Sequence, residues 1–475
     1  MSDNKQIVGT AACPFYVTKR TKKEGKTLIC VSNQPPQFGV FFDGTGNNLY
    51  NDSQSWTDDN EPTNIAKLYA LYPRSGADFV NSFYIDGIGT SPGNQNSNID
   101  MAIAHTFDNR LSESMSATLD FFERFPNAPI GILDVFGFSR GAAMARAFVN
   151  EVHKINKTDP QYWGGAELVV RFLGLFDTVG SVGMPGDNHN APYILDLSPR
   201  AASYVFHLTA QHEQREYFPL SSILTDTKQA PAAHFKEVEI PGAHSDVGGG
   251  YGPVAQTIHF PSESFYWMMT KEREPKLLEI KKTIKTELER KYPLPGIDIT
   301  FTAQDLTQDD IGELHTQTIV SPRWIRSVNP ALAHNALQKM HANAIDNGVP
   351  LEPLTKLPES VVFGTTARTA EQLYEVPVDL KTYLSRLEVN PNDKEASDFI
   401  YTKYVHHSHQ YASTPEQFMN ANKPEKNPNR AAPNGKREIF YNHITRGYSH
   451  EDKWKQIRIL KSSFPRRKWV RQANE

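Results

Sequence analysis

The stretch Ile130-Gly131-Ile132-Leu133-Asp134-Val135-Phe136-Gly137-Phe138-Ser139-Arg140-Gly141-Ala142-Ala143-Met144-Ala145-Arg146-Ala147 decides the fold. Ile130–Phe136 is a short, mostly apolar run, the pattern of a strand covered on both faces. Ala142–Ala147 follows with high helix propensity. Between them, Gly137-Phe138-Ser139-Arg140-Gly141 holds a serine in a tight strand-to-helix turn. A bare GxSxG arises by chance in many long chains; flanked this way it describes a nucleophile elbow. A side chain at either glycine clashes in so sharp a turn. The elbow lifts the Ser139 hydroxyl into a crevice and aims the helix N-terminus at a developing oxyanion. The plain alternative is a serine in an ordinary turn.

Outward from this point the same alternation recurs. Phe38–Phe42, Ser82–Ile85, Val169–Phe176 and Phe235–Ile240 read as further buried strands. Helices are expected near Asn64–Leu71, Met115–Phe122, Ala142–Lys154, Ala201–Gln211 and Ser262–Thr270, with a charged helix over 275–291 and another over 329–346. Ile280, Ile284 and Leu288 give the charged helix one apolar stripe. Strands alternating with helices imply an α/β fold with a mainly parallel sheet and helices on both faces. Gly-rich turns follow several strands, at Asp43–Gly46, Gly137–Gly141 and Gly248–Gly252, and mark the carboxyl edge of the sheet, where ligands bind in such folds. Residues 1–36 read as a polar N-terminal arm, with room for an edge strand. Residues 37–345 read as a catalytic domain with inserted helical or lid segments, the lid candidates lying at 181–200 and within 262–291. Residues 346–475 read as a C-terminal extension with room for a membrane- or partner-contacting segment, and a long loop or disorder is expected over 413–437.

A serine nucleophile needs a base, and the base needs an orienting acid. Asp177 ends the strand Val169–Phe176, and His244 follows the strand Phe235–Ile240, so both fall on the edge that carries Ser139. Plain alternatives are a capping role for Asp177 and a hydrogen-bonded loop role for His244. Asp134, Asp246 and Asp86 compete as acids; Asp134 sits within a strand, and Asp246 is close enough to His244 to cap a turn or helix start instead. The oxyanion donors expected are the N–H of Arg140 and an N–H of the Gly44–Thr45 region, though Asp43-Gly44-Thr45-Gly46 also suits a turn that merely needs glycine. A phosphatase reading of that loop fails on chemistry: the nucleophile position would be Phe41. His406, His407 and His409 form a cluster read as surface or packing histidines in preference to a metal site, and His212 as a helix residue beside Glu213 and Arg215. No metal is required, since the serine is activated by a base; calcium, where it matters, is expected to act on a lipid surface or on structure.

Composition bounds the rest. The 475 residues carry a formal net charge of −4, which does not point to nucleic acid. Cys13 and Cys30 are too few for a disulfide framework or a four-cysteine zinc site. Mean hydropathy is −0.52, and no run of about 18 apolar residues is present to span a bilayer. The N-terminus lacks the pattern of a secretory signal peptide, so a cytoplasmic chain is expected, exported only by another device. The C-terminus is basic, from Lys453 to Arg471, interleaved with Trp454, Phe464 and Trp469. Contact with anionic lipid headgroups and a plain solvated tail or added strand are both open for it.

Three segments together carry a resemblance: Phe41–Asn48, Gly137–Ala143, and Pro241-Gly242-Ala243-His244-Ser245-Asp246-Val247-Gly248-Gly249-Gly250-Tyr251, supported by Leu175–Gly180. In this order the sequence resembles the type VI secretion phospholipase effectors of the GxSxG class, over roughly residues 38–260. The resemblance implies an α/β-hydrolase fold and an antibacterial lipase that cleaves an acyl ester of a membrane glycerophospholipid. It implies delivery through a secretion-system spike protein into the target-cell periplasm, and a cognate immunity protein in the producer. Ser139 matches the family nucleophile, Asp177 the acid and His244 the base. Two other readings stay open: a soluble carboxylesterase or thioesterase, and a non-catalytic spike adaptor.

Overall fold

The computed structural model describes residues 15–21, 25–32, 35–49, 60–74, 79–90, 103–126, 128–180, 190, 193–252, 255–259, 263–267, 273–291, 298–307, 316–357, 371–407, 432 and 436–443. Strands β1 (Phe15–Thr21) and β2 (Gly25–Ser32) form an antiparallel hairpin, two strands where the sequence suggested one. After it come β3 (Gln37–Phe42), β4 (Asn60–Thr63), helix α1 (Asn64–Leu71), β5 (Val80–Ile85), α2 (Ile103–Phe122), β6 (Ile130–Phe138), α3 (Arg140–Thr158), β7 (Glu167–Phe176), β8 (Tyr204–Ala210), β9 (Leu220–Ser221) and β10 (Phe235–Ile240). Six of these make one parallel sheet, in the order β10, β8, β7, β6, β3, β5.

The pleat explains why every central strand is apolar. On β6, Leu133 and Val135 join a cluster with Phe148 and Val152 of α3 and Phe121 and Phe122 of α2. Phe136 and Phe138 point the other way, into a cluster with Leu68 of α1 and Leu337 and Met340 of α6 (Ala331–Asp346). β7 repeats the pattern, with Leu173 and Leu175 on the first face and Phe172 and Phe176 on the second. With both faces buried, the strands lack the alternation of a half-exposed sheet.

Two expected helices are strands. Residues 204–210 form β8, in the interior of the sheet, where Tyr204, Val205, Phe206 and Thr209 suit a pleated surface and β7 and β10 supply hydrogen bonds on both sides. Residues 263–267 form β13 (Glu263–Trp267), one of three strands, with β12 (Ala255–His259) and β14 (Ile299–Thr307), that pair antiparallel with the long β15 (Thr316–Ser327). Helix α5 (Arg273–Lys291) packs on that small sheet: Leu277 and Ile284 meet Val320, with Ile280 and Leu288 alongside.

Between β10 and this sheet lie the five-residue helix α4 (His244–Gly248) and β11 (Gly249–Tyr251), which pairs with β4. The C-terminal extension does not stand apart. Leu351, Leu357 and Leu373 complete the cluster under α1 and α6, while α7 (Val378–Val389) and α8 (Lys394–Tyr404) pack against Ala331 and Leu332. Residues 436–443 then cross the sheet's carboxyl edge as a strap, in which β16 (Ile439–Phe440) pairs with β9. The basic C-terminus, His409 and most of the 413–437 loop and the 181–200 lid candidate lie outside the described residues.

Candidate active site

Ser139 sits at the turn between β6 and α3 with φ 57° and ψ −126°, a backbone conformation a non-glycine residue holds only when its surroundings impose it. Those surroundings are specific. Ser139 N–H donates to Phe176 O at 3.0 Å, and Ser139 O accepts from Ala142, Ala143 and Val179. The flanking glycines are set by close approach: a Cβ on Gly137 would lie 2.6 Å from Ala142 Cα, and one on Gly141 2.3 Å from Asp43 O. The second clash is with the strand-end loop of β3, so Gly141 seats the elbow against its neighbour as well as within its own turn.

Asp177 follows β7, also at positive φ, 40°. His244 opens α4. The three side chains form one chain of contacts: Ser139 Oγ lies 2.8 Å from His244 Nε2, and His244 Nδ1 lies 2.5 Å from Asp177 Oδ2. All three are buried, and the imidazole is held between the rings of Phe138 and Phe218. Burial would raise Asp177, but the charge of Arg437 and the His244 contact outweigh it and hold the carboxyl well below the usual range. Burial pushes His244 down despite the Asp177 contact, so the imidazole is neutral at neutral pH. A neutral ring with Nδ1–H facing the carboxylate leaves Nε2 to accept from the serine hydroxyl.

Supporting contacts fix each member. His207 Nε2 accepts from Thr178 N–H, so its Nδ1–H faces Glu237 at 2.9 Å; this pair pins the turn after Asp177. Glu213 and Arg215 form a buried ion pair at 3.0 Å, and Glu213 Oε2 accepts from His244 N–H. Burial opposes ionisation of Glu213, but Arg215 holds it at about 2. The sequence marked this pair only as local, and His212 beside it is not helical: its Nδ1 accepts from Gly242 N–H. Arg437, from the strap, donates to both oxygens of Asp177; nothing in the sequence near it signalled this.

The competing acids are engaged elsewhere. Asp134 is buried against Arg171 and Tyr72, and Asp86 faces Arg110 at 3.8 Å. Asp246 caps α4 by accepting from Ala243 N–H, and also meets His406 Nδ1, on which Tyr251 stacks. His406 therefore has a carboxylate partner that the spacing of the histidines did not reveal, and it serves as a tie between the extension and α4. Among the described residues no group of three or more candidate ligands could hold a metal ion.

Of the loop after β3, Gly44 N–H is already donated to Asp43 Oδ1 at 2.7 Å and Gly46 N–H to Ile88 O. Gly44 N–H is thus engaged within its own loop, by the carboxylate beside it. Thr45 remains, and its hydroxyl is buried without a hydrogen-bond partner among the described residues. Asp43 anchors the loop by accepting from Thr63 and Tyr84 hydroxyls, and burial raises it to about 6.

Residues 37–162 and 150–271 match the family model of the type VI secretion phospholipase effector Tle1-like catalytic domain. The solved structure of a Tle1 effector bound to the VgrG spike of the type VI secretion system is similar, at 22% identity and a TM-score of 0.59, covering 90% of this chain and 99% of that one. An uncharacterized protein from Pseudomonas aeruginosa is 20% identical with a TM-score of 0.47, covering 77% of this chain and 52% of that one. Comparison with curated proteins gives no match. The fold is that of an α/β protein of the hydrolase-like class. More narrowly, residues 37–271 match the Tle1-like catalytic domain of the type VI secretion phospholipase effectors.

Proposed function

We propose that the protein is a serine phospholipase of the A type, in which Ser139 is the nucleophile, His244 the base and Asp177 the orienting acid. The observation that carries this reading is the unbroken line from Ser139 Oγ through the His244 ring to Asp177 Oδ2, at 2.8 and 2.5 Å. His244 Nε2 takes the hydroxyl proton as Ser139 Oγ bonds to the acyl carbon of a glycerophospholipid. The developing oxyanion is received by the N–H groups of Arg140, at the start of α3, and of Thr45. The ester C–O bond breaks, the proton on Nε2 passes to the departing glycerol oxygen, and a lysophospholipid leaves. Water, deprotonated by the same imidazole, then attacks the acyl carbon; the bond to Ser139 Oγ breaks, the proton on Nε2 returns to that oxygen, and a free fatty acid leaves. No metal takes part in these steps.

The family match supports delivery by a type VI system, and the similar Tle1 effector, solved bound to a VgrG spike, supports a spike protein as carrier. On this reading the enzyme acts on the target-cell membrane from the periplasm, and the producer carries an immunity protein. No helix among the described residues is long and apolar enough to cross a membrane.

The test is product analysis on vesicles of phosphatidylethanolamine and phosphatidylglycerol, comparing wild type with Ser139→Ala by mass spectrometry. Wild type is expected to release fatty acid and lysophospholipid, with turnover by Ser139→Ala lower by at least about a thousand-fold. The acyl chain released identifies the position cut. Retained activity in Ser139→Ala overturns the reading. Turnover of short soluble esters with no release from vesicles moves the enzyme to the carboxylesterases.

A further inference from the structure

The strap at 436–443 brings one charged side chain to the site. Arg437 lies 260 positions beyond Asp177 in sequence and outside the family-matched residues 37–271. Its guanidinium donates from Nη1 to Asp177 Oδ1 at 2.7 Å and from Nη2 to Oδ2 at 2.9 Å, while Nε donates to Phe218 O. Its side chain is only 7% exposed. The strap is fastened on both sides of it: Ala432 N–H donates to Gln214 O, and Leu220 N–H to Glu438 O. Asn442 bonds both backbone groups of Leu197.

The acceptor count of Asp177 shows what this contact does. Oδ1 accepts from Ala210 N–H and Arg437 Nη1, and Oδ2 meets His244 Nδ1 and Arg437 Nη2. An ionised carboxylate has about four acceptor positions, so the set is complete. A bidentate guanidinium fixes the carboxylate plane, which a single contact does not.

We propose that Arg437 is a positioning residue for the reaction: supplied by the C-terminal extension, it holds the Asp177 carboxylate in the orientation that receives His244 Nδ1–H. This rests on the triad reading above. It makes the catalytic domain incomplete without the strap. Holding the acid in one orientation keeps Nε2 aimed at Ser139, and small misplacements of such groups cost rate steeply. A cation next to Asp177 offsets part of the negative charge that would otherwise favour imidazolium. Among the described residues, the other charged or titratable groups around the pair include His207 of β8, Glu213 and Arg215 of the loop after β8, Glu239 of β10, Asp246 of α4 and Tyr251 of β11. They are unchanged in the variants below.

The experiment uses the full chain and the pH dependence of kcat and kcat/KM on a soluble short-chain phospholipid, for wild type, Arg437→Gln, Arg437→Lys and Ser139→Ala, with a thermal melt of each. Arg437→Gln is expected to lower kcat roughly ten- to a hundred-fold with KM little changed. The acid limb of its kcat/KM profile is expected to move to higher pH by about half a unit or more, because loss of the cation favours protonated His244. Arg437→Lys keeps the charge and loses the fork, so kcat falls while the acid limb stays in place. A wild-type kcat and an unmoved acid limb in a folded Arg437→Gln, with Ser139→Ala inactive, overturn this proposal and leave the triad reading intact. A loss that tracks a fall in Tm with no movement of the acid limb makes Arg437 an anchor and also overturns it. If Arg437→Gln does not fold, Arg437→Lys decides: lowered kcat at unchanged Tm supports positioning, and wild-type kcat refutes it. Full activity in Ser139→Ala removes the triad reading and this proposal together.

Discussion

Ser139 and Asp177 both hold positive φ, and both are tied down by backbone hydrogen bonds to the next strand of the sheet, Ser139 to Phe176 and Asp177 to Leu208. The strain is thus imposed by the sheet, which places the two side chains at adjacent strand ends. Asp177→Asn keeps the shape, and asparagine tolerates this backbone, but it removes the charge and permits the wrong imidazole tautomer. Its kcat at neutral pH is expected to fall by about ten-thousand-fold with a small change in KM, measured in the same vesicle assay; a drop under tenfold would remove Asp177 from the proposed role. Ser139, Asp177 and His244 were legible in the sequence because each directly follows a recognisable strand or opens the next turn. Arg437 was not. It acts through space, from a stretch of Pro, Asn and Lys with no local pattern, and only the folded chain brings it to Asp177.

Among the elements, the sheet strands flanking the elbow could be read because a short apolar run bounded by glycine turns has few other uses. β8 was misread because periodicity cannot separate a strand buried on both faces from a buried helix segment. The helix pair α1 and α6, across the second face, is joined by a polar seam invisible to hydrophobic patterning. Lys67, fully buried on α1, donates to Glu61 Oε1 at 3.1 Å and to Leu373 O. His334 of α6 meets the same carboxylate through Nε2 and Glu375 O through Nδ1. Burial opposes charge on Glu61, yet Lys67 and His334 hold it at about 2. Glu61→Ala leaves a buried ammonium facing an emptied site and is expected to cost about 3–5 kcal/mol, read by denaturant unfolding. Replacing Glu61 and Lys67 together by apolar residues of similar volume is expected to cost much less; equal losses in the two variants would contradict the electrostatic account.

For the molecule as a whole, these buried seams make its stability depend on acid in a predictable direction. Glu61 and Glu213 sit at about 2 against an ordinary 4.5, and Asp177 is also lowered. A carboxylate lowered in the folded state contributes stability that is fully present above its unfolded value and is lost as pH falls toward its folded value. The window for this loss therefore runs from about 4.5 down to about 2. His212, pushed down to about 4 by burial, adds a loss of the same sign as pH falls from 6.5 through 4. Asp43 works in reverse. Raised to about 6 by burial, its contribution is complete below 3.8 and is lost as pH rises through 6. Burial likewise raises Asp86, Asp134 and Glu239. Between pH 6.5 and 4.5 the two sets oppose each other and Tm is expected to change little. Below about 4 the raised groups have little left to give, while Glu61, Glu213 and Asp177 are still surrendering theirs. Each of these three joins parts distant in sequence: Glu61 binds β4 to α6, Glu213 the loop after β8 to α4, and Asp177 the sheet to the strap. Scanning calorimetry from pH 7 to pH 2.5 is expected to show a nearly flat Tm followed by a steep fall below about pH 4. Glu61→Gln should flatten that fall, because it removes one of the groups that must take up a proton on unfolding; a Tm that stays level to pH 2.5 in the wild type would show that the buried carboxylates do not hold the molecule together.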